Sequence, residues 1–187
     1  MLHHWRQVNP DLRELGAGSV QATIDQLHDI KTAYYENAVH QGALSLRPGV
    51  LSLITQAREQ GLQLAIATTT SPVNIAALLR TALGAAWRKH FQAVGDASNA
   101  PLKKPHPQVY LRVLNEMGLP AGDCLAFEDS ANGLRAATAA GLATVITPTS
   151  FTEQHSFSGA LRVLPDLSHA SLAQLQAWHA AQQQDVG

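Results

Sequence analysis

An α/β fold built around a parallel sheet is predicted for this 187-residue chain by two observations. From about residue 49 onward, short apolar runs alternate with longer segments of helical period, which is the pattern of βαβ units. Gly61, Gly84, Gly118 and Gly141 each follow one of the helical segments, at the place where a left-handed C-terminal residue costs glycine least.

The elements follow in chain order. Val20 to His40 has helical period without strand-like alternation, so residues 1–45 read as a partial helical cap packed outside the sheet, ahead of an α/β core at 46–187. In that core the helices are predicted at Val50–Gln60, Val73–Leu83, Gln108–Met117 and Ala131–Ala140. The strands are predicted at Gln63–Thr68, Phe91–Val94, Cys124–Phe127, Leu142–Ile146 and Leu161–Leu164. Several are apolar throughout, as strands covered on both faces should be. The connection GDASNAPLKKPHP, from Gly95 to Pro107, is long and rich in turn formers, the mark of a functional or a mobile loop. The tail AAQQQDVG is expected to fray.

Composition narrows the function. With 13 basic and 14 acidic residues and a formal net charge of −1, the chain has no broad basic face for nucleic acid and no acidic tail. No stretch approaches the roughly 20 apolar residues that span a bilayer, so neither nucleic acid nor membrane is expected as a partner. Cys124 is the only cysteine, which leaves no disulfide framework and no thiolate metal site and fits a cytoplasmic setting. The nine histidines lack the close spacing that shared metal coordination requires. Gly16-Ala-Gly18 lacks the third glycine of a dinucleotide fingerprint and follows a helix-like segment, so dinucleotide binding is rejected.

In open parallel sheets ligands bind beyond the carboxyl ends of the strands, so polar residues just after apolar strands are the first candidates. LAIATTTS places Thr68, Thr69, Thr70 and Ser71 after one strand, KKPHP places Lys103 and Lys104 in the long loop, and CLAFEDSANG places Glu128 and Asp129 after another. Paired carboxylates followed by Ser130 make a hard oxygen site suited to Mg²⁺, although Asp129 or Ser130 could equally serve only to cap the next helix. Thr70 and Ser71 have the same capping alternative before Pro72, while Thr68, ending the strand, is the better donor. Lys103 reads as a solvated loop residue. A lysine, a carboxylate pair and a threonine at three strand ends together are what phosphoryl transfer needs: a cation, a metal and a hydroxyl donor.

The order and wording of these segments resemble the haloacid dehalogenase (HAD) superfamily. IATTTSP, KKPHPQVY and FEDSANGLRAATAAG are similar to the second, third and fourth motifs of its beta-phosphoglucomutase-like and CbbY-like branch, and HDIKTAYY and LRPGV resemble the xylulose-1,5-bisphosphate phosphatases of that branch. The resemblance runs from about His28 to Leu167. It implies a HAD-like Rossmannoid sheet and a Mg²⁺-dependent phosphatase acting on a small sugar phosphate through an aspartyl-phosphate. Thr68 would bind the transferring phosphoryl group, with Thr69 beside it, and Lys104 would neutralise charge on nucleophile and phosphate. Asp129 with Glu128 would hold Mg²⁺, and Ser130 would lie next to the substrate. Arg47, in LRPGV, could reach a second substrate phosphate or be a surface arginine at the hinge, and His28 and Lys31, three apart on a helix, could face the site from the cap or be solvated.

One part of the pattern is missing. The family's first motif, an Asp-x-Asp closing an apolar strand, has no counterpart in the sequence. The absent strand belongs in the middle of the sheet, between the strands ending at Thr68 and Asp129, so two inner edges are expected to be unpaired. The chain is therefore expected to be an incomplete coding sequence that begins within the cap, and to be inert as a phosphatase alone. The alternatives are a degenerate or partner-complemented protein, a non-catalytic module that keeps affinity for Mg²⁺ or phosphate, and part of a sugar-phosphate mutase.

Overall fold

The structure, a computed structural model, describes residues 17–41 and 45–184. The chain divides into two compact units, Met1–Leu44 and Ser45–Gly187. Among the described residues the first holds the helix α1 (Ala17–His40), and the side chains of His28 and Lys31 on it lie outside the described residues.

The second unit alternates strand and helix. Its elements are α2 (Val50–Glu59), β1 (Ala65–Ala67), α3 (Pro72–Leu83), β2 (Ala93–Gly95), α4 (Gln108–Met117), β3 (Leu125–Glu128), α5 (Ala131–Ala139), β4 (Ala143–Ile146), β5 (Arg162–Val163) and α6 (Leu172–Gln184). Every strand pair among the described residues is parallel. Ala65, Ile66 and Ala67 stand opposite Ala93, Val94 and Gly95, and Leu125 to Glu128 stand opposite Ala143 to Ile146, with β5 at the edge beside β4. Local chemistry starts and stops the helices where the sequence says it should. Ser71 caps α3 ahead of Pro72, Ser130 caps α5 through the Gly133 amide, and Gly118 closes α4 in the left-handed region.

The strands form two sheets, β1–β2 and β3–β4–β5. Among the described residues, β1 and β3 each have one edge with no strand beside it, as the missing first motif leads one to expect. Two helices bind the sheets together instead. In β3, Leu125 packs with α2 and α6 while Ala126 packs with α4 and α5. In β1, Ile66 packs against the cluster of Ile75, Leu79 and Phe91, which Ile54 of α2 also touches, and Ala67 packs with α4. Successive strand residues point to opposite faces, so α2 covers both sheets on one face and α4 covers both on the other.

The elements depart from the sequence reading in two ways. β1 is three residues shorter than predicted, β5 two and β2 and β4 one each, while β3 keeps its four residues one position later. The tail does not fray at Ala180: α6 continues to Gln184, because Leu172 and Leu175 are buried and Gln183 donates to the Gly122 carbonyl. The sequence reading did not include this helix, whose buried leucines and Trp178 stand among alanines and glutamines that hide the amphipathic stripe. No helix among the described residues is long and apolar enough to cross a membrane.

Gly49 sets the approach of α2. Its φ is 82°, and a Cβ there would run into the backbone of Leu167 and Ser168. Gly49→Ala is expected to cost about 3 kcal/mol, lowering the melting temperature by roughly 10 °C. Gly61→Ala, at φ 71° with open space around it, should cost only about 1 kcal/mol; equal shifts in calorimetry would contradict this account of the packing.

Candidate active site

The carboxyl end of β3 supplies the acidic pair. Glu128 is the last strand residue, Asp129 follows in a bend, and Ser130 opens α5. Alternation along the strand turns Glu128 inward, where its side chain is only 8% exposed, whereas Asp129 is exposed. One carboxylate oxygen of Glu128 accepts from both the Lys104 ammonium and the Tyr110 hydroxyl. The other lies over Gly133, where any Cβ would collide with it.

Lys104 reaches this point because its loop is built, not free. The Asp96 carboxylate accepts from the Ser98 amide at 2.8 Å and from its hydroxyl at 2.5 Å, and the Asn99 amide group donates to the Val94 carbonyl at 3.0 Å. Farther on, the Leu102 amide donates to the Gln108 side chain at 2.8 Å. Lys103 is left exposed, and Lys104 turns in with its side chain 15% exposed. Its ammonium donates to the Ala67 carbonyl at 2.8 Å as well as to Glu128, so one group links the ends of β1 and β3.

The hydroxyl run after β1 divides by role. Ser71 caps α3, accepting from the Asn74 amide at 3.4 Å, and the Thr70 hydroxyl accepts from the Asn74 side chain at 3.1 Å, so both serve the start of the helix. The Thr68 amide donates to the Gly95 carbonyl at 3.0 Å, and its hydroxyl accepts from the Thr70 amide at 3.3 Å, which leaves the Thr68 proton to donate elsewhere. Thr69 beside it is half-buried.

Arg47 departs from the sequence reading. Its guanidinium donates to the carbonyl and hydroxyl of Thr147 and to the carbonyls of Pro148, at 2.8 Å, and Pro165, at 3.2 Å. These bonds tie the segment before α2 to the loops after β4 and β5 and use the donor fork that a substrate phosphate would need. Engaged in this way, the guanidinium serves as a tie between loops and not as a contact to a second phosphate.

Two neighbours escaped the sequence reading. Tyr110 stands on α4 with the buried Val109 and Val113, and a buried tyrosine calls for a hydroxyl partner. Burial first, then the negative charge of Glu128, its hydrogen bond and the charge of Asp129, push the Tyr110 hydroxyl far above its ordinary pKa, so it stays a donor. His155 accepts from the Ala131 amide at 3.3 Å beside Ser130, and nothing in its sequence context signalled that.

The arrangement offers an inward ammonium, a hydroxyl donor and an exposed carboxylate at adjoining strand ends. Among the described residues no three His, Cys, Asp or Glu side chains converge as a metal cage. Mg²⁺ does not require one, since it keeps waters and takes one or two carboxylates plus phosphate. Asp129 fits that demand, with the Glu128 carboxylate engaged by Lys104 and Tyr110.

Comparison with known proteins identifies the family and the fold. The family model described as haloacid dehalogenase-like hydrolase matches residues 3–141. The plasmid-encoded protein CbbY of Cupriavidus necator is 52% identical over 195 aligned positions, which span 96% of this chain and 76% of that protein. CbbY from Rhodobacter sphaeroides, in a crystal structure with phosphate, superposes with a TM-score of 0.77 at 38% identity over 82% of this chain and 68% of that one. A mutant of that protein, in complex with xylulose-(1,5)bisphosphate, superposes with a TM-score of 0.76 at 38% identity over 81% and 68% of the two chains.

Removing Lys104 would leave the Glu128 carboxylate buried without its cation. Lys104→Ala should lower the unfolding free energy in urea by about 3 kcal/mol, and by about 1 kcal/mol or less when Glu128→Gln is already present. Equal losses in both backgrounds would show that the pair is not coupled.

Proposed function

The chain belongs to the haloacid dehalogenase-like hydrolases, and on that premise we propose that it carries the phosphate-handling part of a Mg²⁺-dependent, CbbY-like sugar-phosphate phosphatase whose substrate is a pentulose bisphosphate such as xylulose 1,5-bisphosphate. The observation that carries the reading is the Lys104 ammonium, held between the end of β1 and the end of β3. The substrate class is supported by the ligands of the CbbY crystal structures, phosphate and xylulose-(1,5)bisphosphate.

Each group has a task in this proposal. The Thr68 hydroxyl donates to one oxygen of the transferring phosphoryl group, and the Thr69 backbone beside it lines the same oxygens. Lys104 offsets the charge that gathers on those oxygens in the transition state, when fixed donors act most strongly. Asp129 would hold Mg²⁺, with Glu128 behind it and Ser130 orienting the turn by capping α5. When bound, the ion supplies further charge neutralisation at the phosphoryl group.

The covalent step of an aspartyl-phosphate mechanism needs a carboxylate on an Asp-x-Asp strand, and the 187 residues contain no such motif. This favours a second reading for the chain taken alone, binding of Mg²⁺ and phosphate without turnover. Both readings are open to one experiment. The chain by itself, given xylulose 1,5-bisphosphate and Mg²⁺, should release no phosphate. The same chain preceded by an apolar strand ending in Asp-x-Asp should turn over, and Lys104→Ala in that form should reduce the rate by roughly 100- to 1,000-fold. Metal-dependent turnover by the chain alone would contradict the assigned chemistry, and an unchanged rate in the folded Lys104→Ala form would remove Lys104 from the site.

A further inference from the structure

The position of the Lys104 ammonium needs a cause. The side chain is a flexible four-carbon stem on a loop, and a point charge on such a stem has no preferred direction of its own. Three groups surround it: the Ala67 carbonyl at 2.8 Å, the Glu128 carboxylate, and the Tyr110 phenol, whose oxygen is 3.5 Å away and whose ring centroid lies 4.8 Å from the nitrogen. The first is backbone and cannot move aside. The second is a side chain that could rotate, unless something else holds it.

Tyr110 is placed to do that. It is 6% exposed, on the helix that packs against both sheets, and the neighbouring Val109 and Val113 lie so close to Gly95 that a Cβ there would come within 2.8 and 2.9 Å of them. Its hydroxyl donates to the same Glu128 oxygen that receives the Lys104 proton, so both lone pairs of that oxygen are engaged. Gly133 closes the opposite side of the carboxylate. The ring meanwhile offers its negative face to the ammonium. Of the three ammonium protons, one goes to Ala67 and one to Glu128, and the third has only the distant phenol oxygen as acceptor.

We infer that Tyr110 is the positioning residue of this site: by holding Glu128 between its own hydroxyl and Gly133, it fixes the direction of the Lys104 ammonium and leaves the third proton for an oxygen of a bound phosphate. The last clause rests on the phosphatase reading given above; the holding of Lys104 does not.

The test is the acylation rate of each lysine in the folded chain, measured at one pH by peptide mass spectrometry, with exposed Lys89 and Lys103 as internal references. In the unmodified protein Lys104 should react slowest, and inorganic phosphate with Mg²⁺ should slow it further. Tyr110→Phe keeps the ring and removes the hydroxyl; Lys104 should then react about tenfold faster relative to Lys103, as expected for loss of a hydrogen bond to a charged group. Gly133→Ala, which pushes Glu128 from the other side, should give the same signature without touching Tyr110. If either variant remains folded and the relative rate at Lys104 is unchanged, whatever happens to the melting temperature, the inference is overturned. If the variants behave as stated but phosphate never protects Lys104 in the unmodified chain, the positioning role stands and the phosphate reading fails.

Discussion

The ammonium of Lys104 joins two parallel sheets that share no strand-to-strand ladder. Because β1 and β3 are not paired with each other, the relative placement of Thr68 and Asp129 depends on helices α2 and α4 and on this one cation. Its partners are of opposite kinds. A backbone carbonyl fixes a point in space, and a buried carboxylate supplies the charge that makes leaving the site costly. A pair of this sort is a weak source of net stability and a strong source of position. That suits a site that must present donors where charge develops.

Small residues make the arrangement physically admissible. Gly133 leaves room for the Glu128 carboxylate, and Gly95 lets α4 approach β2 closely enough to bring Tyr110 under Lys104. Ala126, Ala136 and Ala137 fill the layer between β3 and α5, so the helix that starts at Ser130 lies close to the strand that ends at Glu128. Core packing and site geometry are thus set by the same positions, and a substitution chosen for one will be felt in the other.

Much of this was legible in the sequence, and the reasons are specific. Apolar runs broken by Gly61, Gly84, Gly118 and Gly141 report helix ends, because left-handed backbone is a local property. The roles of Ser71 and Ser130 as caps, and the place of Glu128 at the end of a strand, are local. What was not legible depends on contacts far apart in the chain. Arg47 finds its acceptors about a hundred residues away, and a guanidinium that binds carbonyls looks, in sequence, like one that binds phosphate. Tyr110 carries a helical apolar period that conceals its hydroxyl, and α6 conceals its buried stripe among alanines and glutamines.

The account turns on whether Thr68, Lys104 and Asp129 share one phosphate-sized space. The most direct measurement is a crystal structure of the chain grown with Mg²⁺ and vanadate, a phosphate mimic. The account requires an anion oxygen within hydrogen-bond distance of both the Lys104 nitrogen and the Thr68 hydroxyl, with the cation on Asp129. An ordered anion seated instead against Arg47, or a Lys104 ammonium turned away from Glu128 toward solvent, would contradict it.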